Sequence, residues 1–206
     1  MSKKFPLQIP IFPLSGVIYF PRTNLPLNIF EQRYLNLVND VIQKDKLMGM
    51  IQLMEKGSDV YKVGCLGKIS DHKTGDDGKI IINLTGLTRF EIVEEVKNQK
   101  LYREFIVDYK KFHLDTKATT EKLRTESLIE KTKIFFEKNG ISINWKEFEK
   151  LDIAQKINTL SMIAPIANEE KQKLLESISL DEKIITLQNI VNFYLHEVNF
   201  NNQTIQ

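Results

Sequence analysis

The stretch IPIFPLSGVIYFPRTNLPLNIF, residues 9–30, holds four of the six prolines of the chain, set among bulky apolar residues. A central strand excludes proline, because proline lacks the backbone N–H that a sheet ladder needs. A flexible linker would be far less hydrophobic. The stretch therefore predicts an extended, partly buried first strand that lies near a sheet edge and is bent by its prolines. A turn is expected at Phe20-Pro21-Arg22-Thr23, because proline presets φ for a turn.

The composition is that of a globular protein. The 206 residues are 42% hydrophobic and 27% charged, enough for one large domain or two small ones. A formal net charge of +2 is too near neutral to indicate nucleic acid as a partner. A single cysteine, Cys65, excludes an internal disulfide framework and fits a reducing compartment. Apolar runs fall short of membrane-spanning length, and prolines interrupt any signal peptide, so we expect a cytoplasmic protein with no membrane partner.

Up to about residue 114 the pattern is mainly that of β-strands. Apolar runs of strand length alternate with turn residues, and the sequence TGDDG (74–78) separates two of them as a hairpin turn would. One helix is predicted in this half, over EQRYLNLVNDVIQKD (31–45), because its apolar residues recur at helical spacing. Those residues are Tyr34, Leu35, Val38, Val41 and Ile42.

After about residue 114 the pattern changes to that of helices. Two pairs have the capping-box spacing that opens a helix, Asn144 with Glu147 and Ser179 with Glu182, and Asn168 is predicted to cap another helix. The last helix is predicted to turn an apolar face inward. That face comprises Ile184, Leu187, Val191, Tyr194 and Val198. The sequence therefore predicts a β-rich subdomain over residues 1–114 and a helical-bundle subdomain over residues 115–206.

Motifs that carry chemistry are missing from the sequence. It has no G-x-x-x-x-G-K-[ST] phosphate loop, no G-x-S-x-G and no H-E-x-x-H. The three histidines are far apart along the chain, and Cys65 lies in an apolar strand pattern that favours a buried structural thiol over a nucleophile. Ser161 is predicted to face a seam between helices, with no evident base for it. The sequence thus predicts no catalytic residue, no metal and no cofactor.

Ordered motifs give the chain a resemblance to a known family. The opening stretch resembles the start of the N-terminal domain of Lon, the ATP-dependent protease. Three dipeptide or tripeptide elements carry this likeness: Phe12-Pro13-Leu14, Phe20-Pro21 and Pro26-Leu27. Glu31, Arg33 and Tyr34 then open the first helix as they do in the family.

Later segments follow the same family order. VYKVGCLGKI (60–69) and INLTGLTRFEI (82–92) are similar to two family strands, the second with Gly86 and Arg89 in place. APIANEEKQKLLESISLDEKIITLQNIV (164–191) resembles the helical half, although Lys183 stands where the family often has arginine. The resemblance implies an α+β fold, a PUA-like bent β-barrel with one helix in the N-terminal half, followed by a C-terminal helical bundle.

The resemblance also implies a function without catalysis. The ATPase and peptidase modules of Lon are missing from these 206 residues, so proteolysis and ATP hydrolysis are not carried over and the chain is expected to be a stand-alone, non-enzymatic substrate-binding domain. Its implied partners are unfolded or misfolded polypeptides, with a protease as a second candidate. The alternative is RNA binding, because PUA-like folds commonly serve that purpose and residues 97–150 are net basic. Against RNA, aromatic and basic residues are not interleaved on a strand as single-strand binders require.

The implied binding site is an apolar groove for extended polypeptide. Its candidate residues are Leu14, Phe20, Pro21, Leu27 and Phe30, with Arg33 and Arg89 at the rim. For each apolar candidate the competing interpretation is a place in the core, where apolar strand residues usually lie. For Arg89 the competing interpretation, which we favour, is a structural hydrogen bond within the barrel.

Overall fold

The computed structural model describes residues 5–54, 59–117 and 125–203, with side chains as far as residue 196. The chain divides into two compact units, Met1–Lys117 and Ala118–Gln206. The described part of the first consists of strands and one α-helix, and that of the second consists of helices. The fold class is therefore α+β, as predicted. The division of the chain into a β-rich subdomain of residues 1–114 and a helical subdomain of residues 115–206 stays a prediction.

The strands of the first unit form one sheet that closes on itself. Its order is β2-β5-β4-β3-β1-β6, and β6 pairs in addition with β5. Five strands thus complete a ring, and β2 is attached to β5 outside it. The β1–β3 pair is parallel and the others are antiparallel. The elements are β1 Gln8–Leu14, β2 Asn24–Ile29, α1 Gln32–Ile42, β3 Leu47–Gln52, β4 Val63–Thr74, β5 Ile80–Val96 and β6 Arg103–Asp108, followed by a 3-10 turn Lys110–Phe112.

Strand β5 makes closure of so small a ring possible. Its 17 residues pair with β2 near one end and with β6 near the other. The ladders shift register at Leu66/Gly67 and Ile69/Asp71 in β4 and at Ile92/Glu94 in β5. Such irregularities bend a strand and increase its twist, so the sheet curls instead of lying flat. The bent barrel is therefore built from these shifts.

The interior of the barrel is filled from all five strands of the ring. The cluster contains large side chains that are nearly or fully inaccessible, and half-buried apolar residues pack against it. Its members are Ile9, Ile11, Ile51, Leu66, Phe90, Phe105 and Val107. Because each strand contributes to one cluster, the ring is held together by apolar burial as well as by its ladders.

The expectation that β1 lies at a sheet edge is wrong for the strand as a whole. Residues Gln8–Ile11 pair with β6, residues Ile11–Leu14 pair with β3, and only Ile11 belongs to both ladders. Each half of β1 is thus paired on one side alone. The backbone nitrogens of Pro10 and Pro13 face the unpaired side, so neither ladder needs the N–H that proline lacks. The strand that does lie at the edge is β2, which carries Pro26.

The predicted turn after Phe20 is present and lies against β5. The Thr23 hydroxyl donates to the Phe20 carbonyl at 2.7 Å, and Arg22 has a φ of 61°. The Arg22 N–H donates to the Gly86 carbonyl at 3.0 Å, and the Gly86 N–H donates to the Thr23 carbonyl at 2.9 Å. A Cβ on Gly86 would lie 2.2 Å from the Phe20 carbonyl oxygen. Only glycine therefore lets this turn approach β5.

The predicted hairpin and first helix are also present. Residues 75–79 connect β4 to β5, with the Gly75 N–H donating to the Lys79 carbonyl at 2.8 Å. Helix α1 buries Tyr34, Leu37, Val38 and Val41. Its buried face matches the predicted spacing except that Leu37 replaces Leu35 and Ile42, which are half-buried.

The second unit contains five described helices. Two predicted caps are found, since the Glu147 N–H donates to the Asn144 side chain at 3.2 Å and the Glu182 N–H donates to the Ser179 hydroxyl at 3.1 Å. The predicted Asn168 cap is wrong. Asn168 is the first helical residue, and the Glu170 carboxylate instead accepts from the Ala167 N–H at 3.0 Å. The helices are α2 Glu126–Lys138, α3 Trp145–Phe148, α4 Ile153–Ile163, α5 Asn168–Glu176 and α6 Leu180–Gln203.

The inward face of α6 follows the predicted spacing. Ile184, Leu187 and Val191 are buried and Tyr194 is half-buried, whereas the side chain of Val198 lies outside the described residues. The Tyr194 hydroxyl donates to the Glu170 carboxylate at 2.8 Å and so ties α6 to α5. The helices of this unit are thus joined by apolar burial supplemented by side-chain hydrogen bonds.

Replacing Gly86 with alanine should lower the free energy of unfolding of the first unit by about 2 kcal/mol or more, because the added Cβ overlaps the Phe20 carbonyl and must push the turn away from β5. Urea unfolding monitored by circular dichroism measures the effect. Thr85→Ala on the same strand is the matched control and should cost less than about 1 kcal/mol, since it loses one exposed hydrogen bond to Asn24. Equal stability of Gly86→Ala and the unmodified protein would contradict the close approach.

Candidate polypeptide-binding surface

Three of the seven predicted site residues lie in the interior. Phe20 is fully inaccessible, Pro21 is buried and Arg89 is 3% exposed. A side chain without surface cannot contact a bound chain, so we correct the predicted set by removing these three. For Phe20 and Pro21 the competing interpretation, a place in the core, agrees with their burial.

Arg89 makes the structural contact that the sequence left open. Its guanidinium meets the Asp115 carboxylate twice, with Nη2 to Oδ1 at 2.7 Å and Nε to Oδ2 at 2.9 Å. The Arg89 backbone N–H donates to the same carboxylate at 2.8 Å. The guanidinium carbon also lies 4.2 Å from the centre of the Phe112 ring. This buried, two-point ion pair fastens the segment after β6 to β5.

Three other predicted residues, Leu14, Phe30 and Arg33, lie where the end of β1 meets the start of α1. The rings of Phe12 and Tyr34 stack with centroids 4.1 Å apart, and the Tyr34 hydroxyl donates to the Pro13 carbonyl at 3.4 Å. Burial raises the pKa of Tyr34, which keeps this donor protonated. Tyr34 thereby holds the first turn of α1 beside the strand that ends at Leu14.

Phe30 and Arg33 are exposed in this region. Phe30 is 63% exposed and precedes the helix directly. Arg33 lies with its guanidinium carbon 4.5 Å from the centre of the Tyr34 ring and pairs with Glu31 at 2.8 Å. A large accessible ring thus precedes, by three residues in the chain, an arginine that is held by Glu31 and Tyr34.

Leu27, the remaining candidate, belongs to the edge strand. It is half-buried and lies opposite Ile82 of β5. Its neighbours Pro26 and Asn28 are exposed on the other face of the strand. Across the described residues, β2 pairs with β5 alone. The strand that carries Leu27 therefore has an open edge.

Sequence reasoning missed two exposed apolar residues near Leu14. The Leu53 N–H donates to the Leu14 carbonyl at 3.3 Å, which brings Met54 to the end of β1, and Val17 follows in the loop that leaves it. Met54 is 40% exposed and Val17 is 37% exposed. No sequence signal marks them, because exposure depends on how β3 ends beside β1. We name the surface formed by Leu14, Val17, Phe30, Arg33 and Met54 the β1-end surface.

Six of the eleven described basic residues in 97–150 are paired with a carboxylate. Hydrogen bonding to Arg103 lowers the pKa of Glu95, so this pair stays charged to acidic pH. Cation–carboxylate distances of 4.0 Å or less are found for Lys100–Glu104, Arg103–Glu95, Lys110–Asp108, Lys111–Glu91, Lys133–Glu149 and Lys150–Glu147. A phosphate would have to displace these carboxylates before it could bind the paired cations.

The described residues contain no group of three metal-ligating side chains, and no described helix has the length and apolar character needed to cross a membrane. Cys65 is buried. A polar cleft of about 250 Å³ lies beside the first half of β1, but its carboxylates are engaged within the protein. Asp40 accepts from the Tyr102 hydroxyl, and Glu104 accepts from Lys100 at 2.8 Å.

The bent barrel and the helical second unit define an α+β protein of the PUA-like class. A family model described as the ATP-dependent protease La (LON) substrate-binding domain matches residues 8–192. The chain therefore belongs to the Lon substrate-binding domain family, and the resemblance in its motifs is confirmed.

Relatives and solved structures agree with this assignment. The Lon protease of Cytophaga hutchinsonii is 28% identical over 85% of this chain and 23% of its own length, and that of Syntrophus aciditrophicus is 25% identical over 93% and 26%. The chain thus spans about a quarter of the length of these relatives.

Two solved structures show the same fold. A Lon N-terminal domain protein from Xanthomonas campestris superposes with a TM-score of 0.58 at 18% identity, over 82% of this chain and 89% of that one. The N-terminal domain of the Mycobacterium avium complex Lon protease also gives 0.58, at 13% identity over 90% and 98%. These likenesses support the PUA-like barrel with C-terminal helices predicted from the motifs.

Asp115→Asn should lower the free energy of unfolding by about 3 kcal/mol, because it leaves the buried Arg89 charge without its anion. Urea titration measures the loss. Lys79→Met removes an ion pair of similar length whose side chains are about half exposed, and it should leave the unfolding midpoint unchanged. If both variants lose the same free energy of unfolding, the Arg89–Asp115 ion pair does not fasten the segment after β6 to β5.

Phe30→Ser should weaken binding of an unfolded polypeptide about fivefold or more without changing the unfolding midpoint, since the ring is already exposed and packs little of the core. Fluorescence anisotropy of a labelled, reduced polypeptide measures the affinity. Phe193→Ser, on α6, is the matched control: this ring is 56% exposed, and its loss should not alter binding. Equal effects of the two variants would remove Phe30 from the site.

Proposed function

We propose that this chain is a non-catalytic polypeptide-binding module that recognises unfolded or misfolded segments in protein quality control. The observation that carries the proposal is the match of residues 8–192 to a family described as a substrate-binding domain. The curated relatives are proteases, and this chain corresponds to about a quarter of each. A recognition role, rather than hydrolysis, is what that quarter would supply.

The β1-end surface supports the proposal. Single exposed apolar residues are common on any protein. Here, however, Arg33 lies in the first turn of α1 and Phe30 lies just before that turn. Leu14 and Met54 are connected through the Leu53–Leu14 hydrogen bond. An apolar segment, which a folded protein hides and an unfolded one exposes, is the ligand that such a surface suits.

A protease is the second partner that we propose. Binding of non-native segments by a module of this family would be useful to a protease that acts on them. The proposal that the chain itself is not an enzyme rests on the missing phosphate-loop and nucleophile motifs in its sequence. The cytoplasmic location stays a prediction from its single cysteine.

The RNA-binding alternative is opposed by the paired charges. Phosphate recognition needs cations that can exchange small counterions for the nucleic acid, and the pairs around Lys100, Arg103 and Lys133 already hold carboxylates.

Anisotropy titrations with two labelled probes test the proposal. One probe is a reduced, permanently unfolded polypeptide and the other a short single-stranded RNA, each at low and moderate salt. We expect micromolar binding of the polypeptide that changes little with salt, because apolar contacts are not screened. RNA binding that falls steeply with salt, without polypeptide binding, would replace the proposal with the alternative.

A further inference from the structure

We propose that the open edge of β2 is the place where a bound polypeptide pairs, as an added strand held by backbone hydrogen bonds. This inference rests on the proposed function and gives its mode of recognition. The ligand that we propose for the open edge of β2 is an extended polypeptide segment. The β1-end surface alone would not require any particular backbone conformation of its ligand.

The direction of the backbone groups in β2 follows from its ladder with β5. The Gly86 N–H donates to the Thr23 carbonyl, and β2 continues from there in unbroken register with β5. In an antiparallel ladder, alternate residues direct both backbone groups to the partner strand. Leu25, Leu27 and Ile29 therefore bond β5, and the intervening residues direct their backbone groups away from it.

The open edge thus presents a defined set of donors and acceptors. Asn24 and Asn28 each offer an N–H and a carbonyl, and Pro26 between them offers a carbonyl alone. The side chains of all three residues are exposed, as an accessible edge requires. Pro26 agrees with this assignment, because a proline in the β5 ladder would remove one of its bonds. Regularly spaced donors and acceptors of this kind are complementary to another extended peptide backbone.

The exposed face beside this edge offers contacts for side chains. Ile81 of β5 lies directly opposite Asn28 and is 56% exposed, and Phe30 follows the strand by one residue. Pro26 lies on the same face as Asn28, since strand side chains alternate. A paired segment with an apolar residue at every second position would cover Pro26 and Ile81. An unfolded protein is rich in such segments.

A second copy of the chain is a poorer occupant than an unrelated segment. Two β2 strands that pair antiparallel about their centres would place Pro26 opposite Pro26, and the pair would lack donors at its middle. Proline on an edge strand is a known barrier to edge-to-edge association. The edge is therefore closed to symmetrical pairing while it keeps the outer donors that a different strand would use.

The test uses the whole chain and a labelled peptide of alternating phenylalanine and threonine with lysines at its ends. Two further peptides carry N-methyl groups on every phenylalanine or on every threonine. Backbone pairing predicts that one methylated set binds at least about tenfold more weakly and the other less than about threefold, because only alternate N–H groups meet β2. Loss with methylated phenylalanine indicates antiparallel pairing, in which directly opposite residues share a face.

Protein variants at the edge supply the matched comparison. Asn28→Pro removes an outward N–H and should weaken peptide binding about fivefold, whereas Asn28→Ala keeps that N–H and should weaken binding less than about twofold. Pro26→Ala adds a donor and should tighten binding by a similar factor. Circular dichroism and the unfolding midpoint establish that each variant is folded, and the gain with Pro26→Ala does not depend on the folding of Asn28→Pro.

The outcomes separate this inference from the proposed function. Edge pairing would be overturned if the three variants bound the peptide and the unfolded polypeptide with equal affinity and if the two methylated peptides bound alike. Polypeptide binding itself would then remain in place. No binding of either probe to the unmodified protein would overturn both. If Pro26→Ala changes only self-association in sedimentation, the edge serves a second copy and the inference is wrong.

Discussion

The close approach of the Phe20 carbonyl to Gly86 is the constraint on which the first unit depends. It positions the proline-rich turn on β5, and two backbone hydrogen bonds from Arg22 and to Thr23 fix the register in which β2 continues. Because β2 is placed by this contact, Leu27 is half-buried against β5 and Phe30 is left exposed. Any larger side chain at position 86 would move strand and site together.

Three residues further along β5, Arg89 fastens the segment that follows β6. Its ion pair with Asp115 draws the segment after β6 onto β5, while the Arg22 guanidinium donates to the Lys117 carbonyl at 2.6 Å. The G-x-x-R spacing therefore has a physical meaning. The glycine admits the turn before β2, the arginine holds the segment after β6, and both constrain the strand that closes the ring. Both residues are buried, yet the placement of β2 and of the segment after β6 depends on them.

The sequence predicted the fold more completely than the site, for a physical reason. Periodicity, turn residues and cap spacing are local, so α1, the β4–β5 hairpin and the Asn144 and Ser179 caps could be predicted. The family motifs supplied the barrel. Which apolar residue is exposed depends on distant chain segments: Phe20 and Phe30 look alike in sequence, yet one is fully buried and the other 63% exposed. The prediction from Pro10 that β1 lies at a sheet edge was wrong for the same reason, since the staggered pairing of β1 with β3 and β6 has no local signal.

A barrel normally removes the edges through which sheets aggregate, and this one keeps an edge by attaching β2 outside its ring. That arrangement has a cost for any protein that must avoid self-association. Pro26 lowers the cost, because it deletes a donor at the centre of the edge where two copies would meet. Any edge strand presents unpaired donors, and in β2 they lie on both sides of a proline. Binding an irregular, non-native strand is a purpose for which that combination is suited.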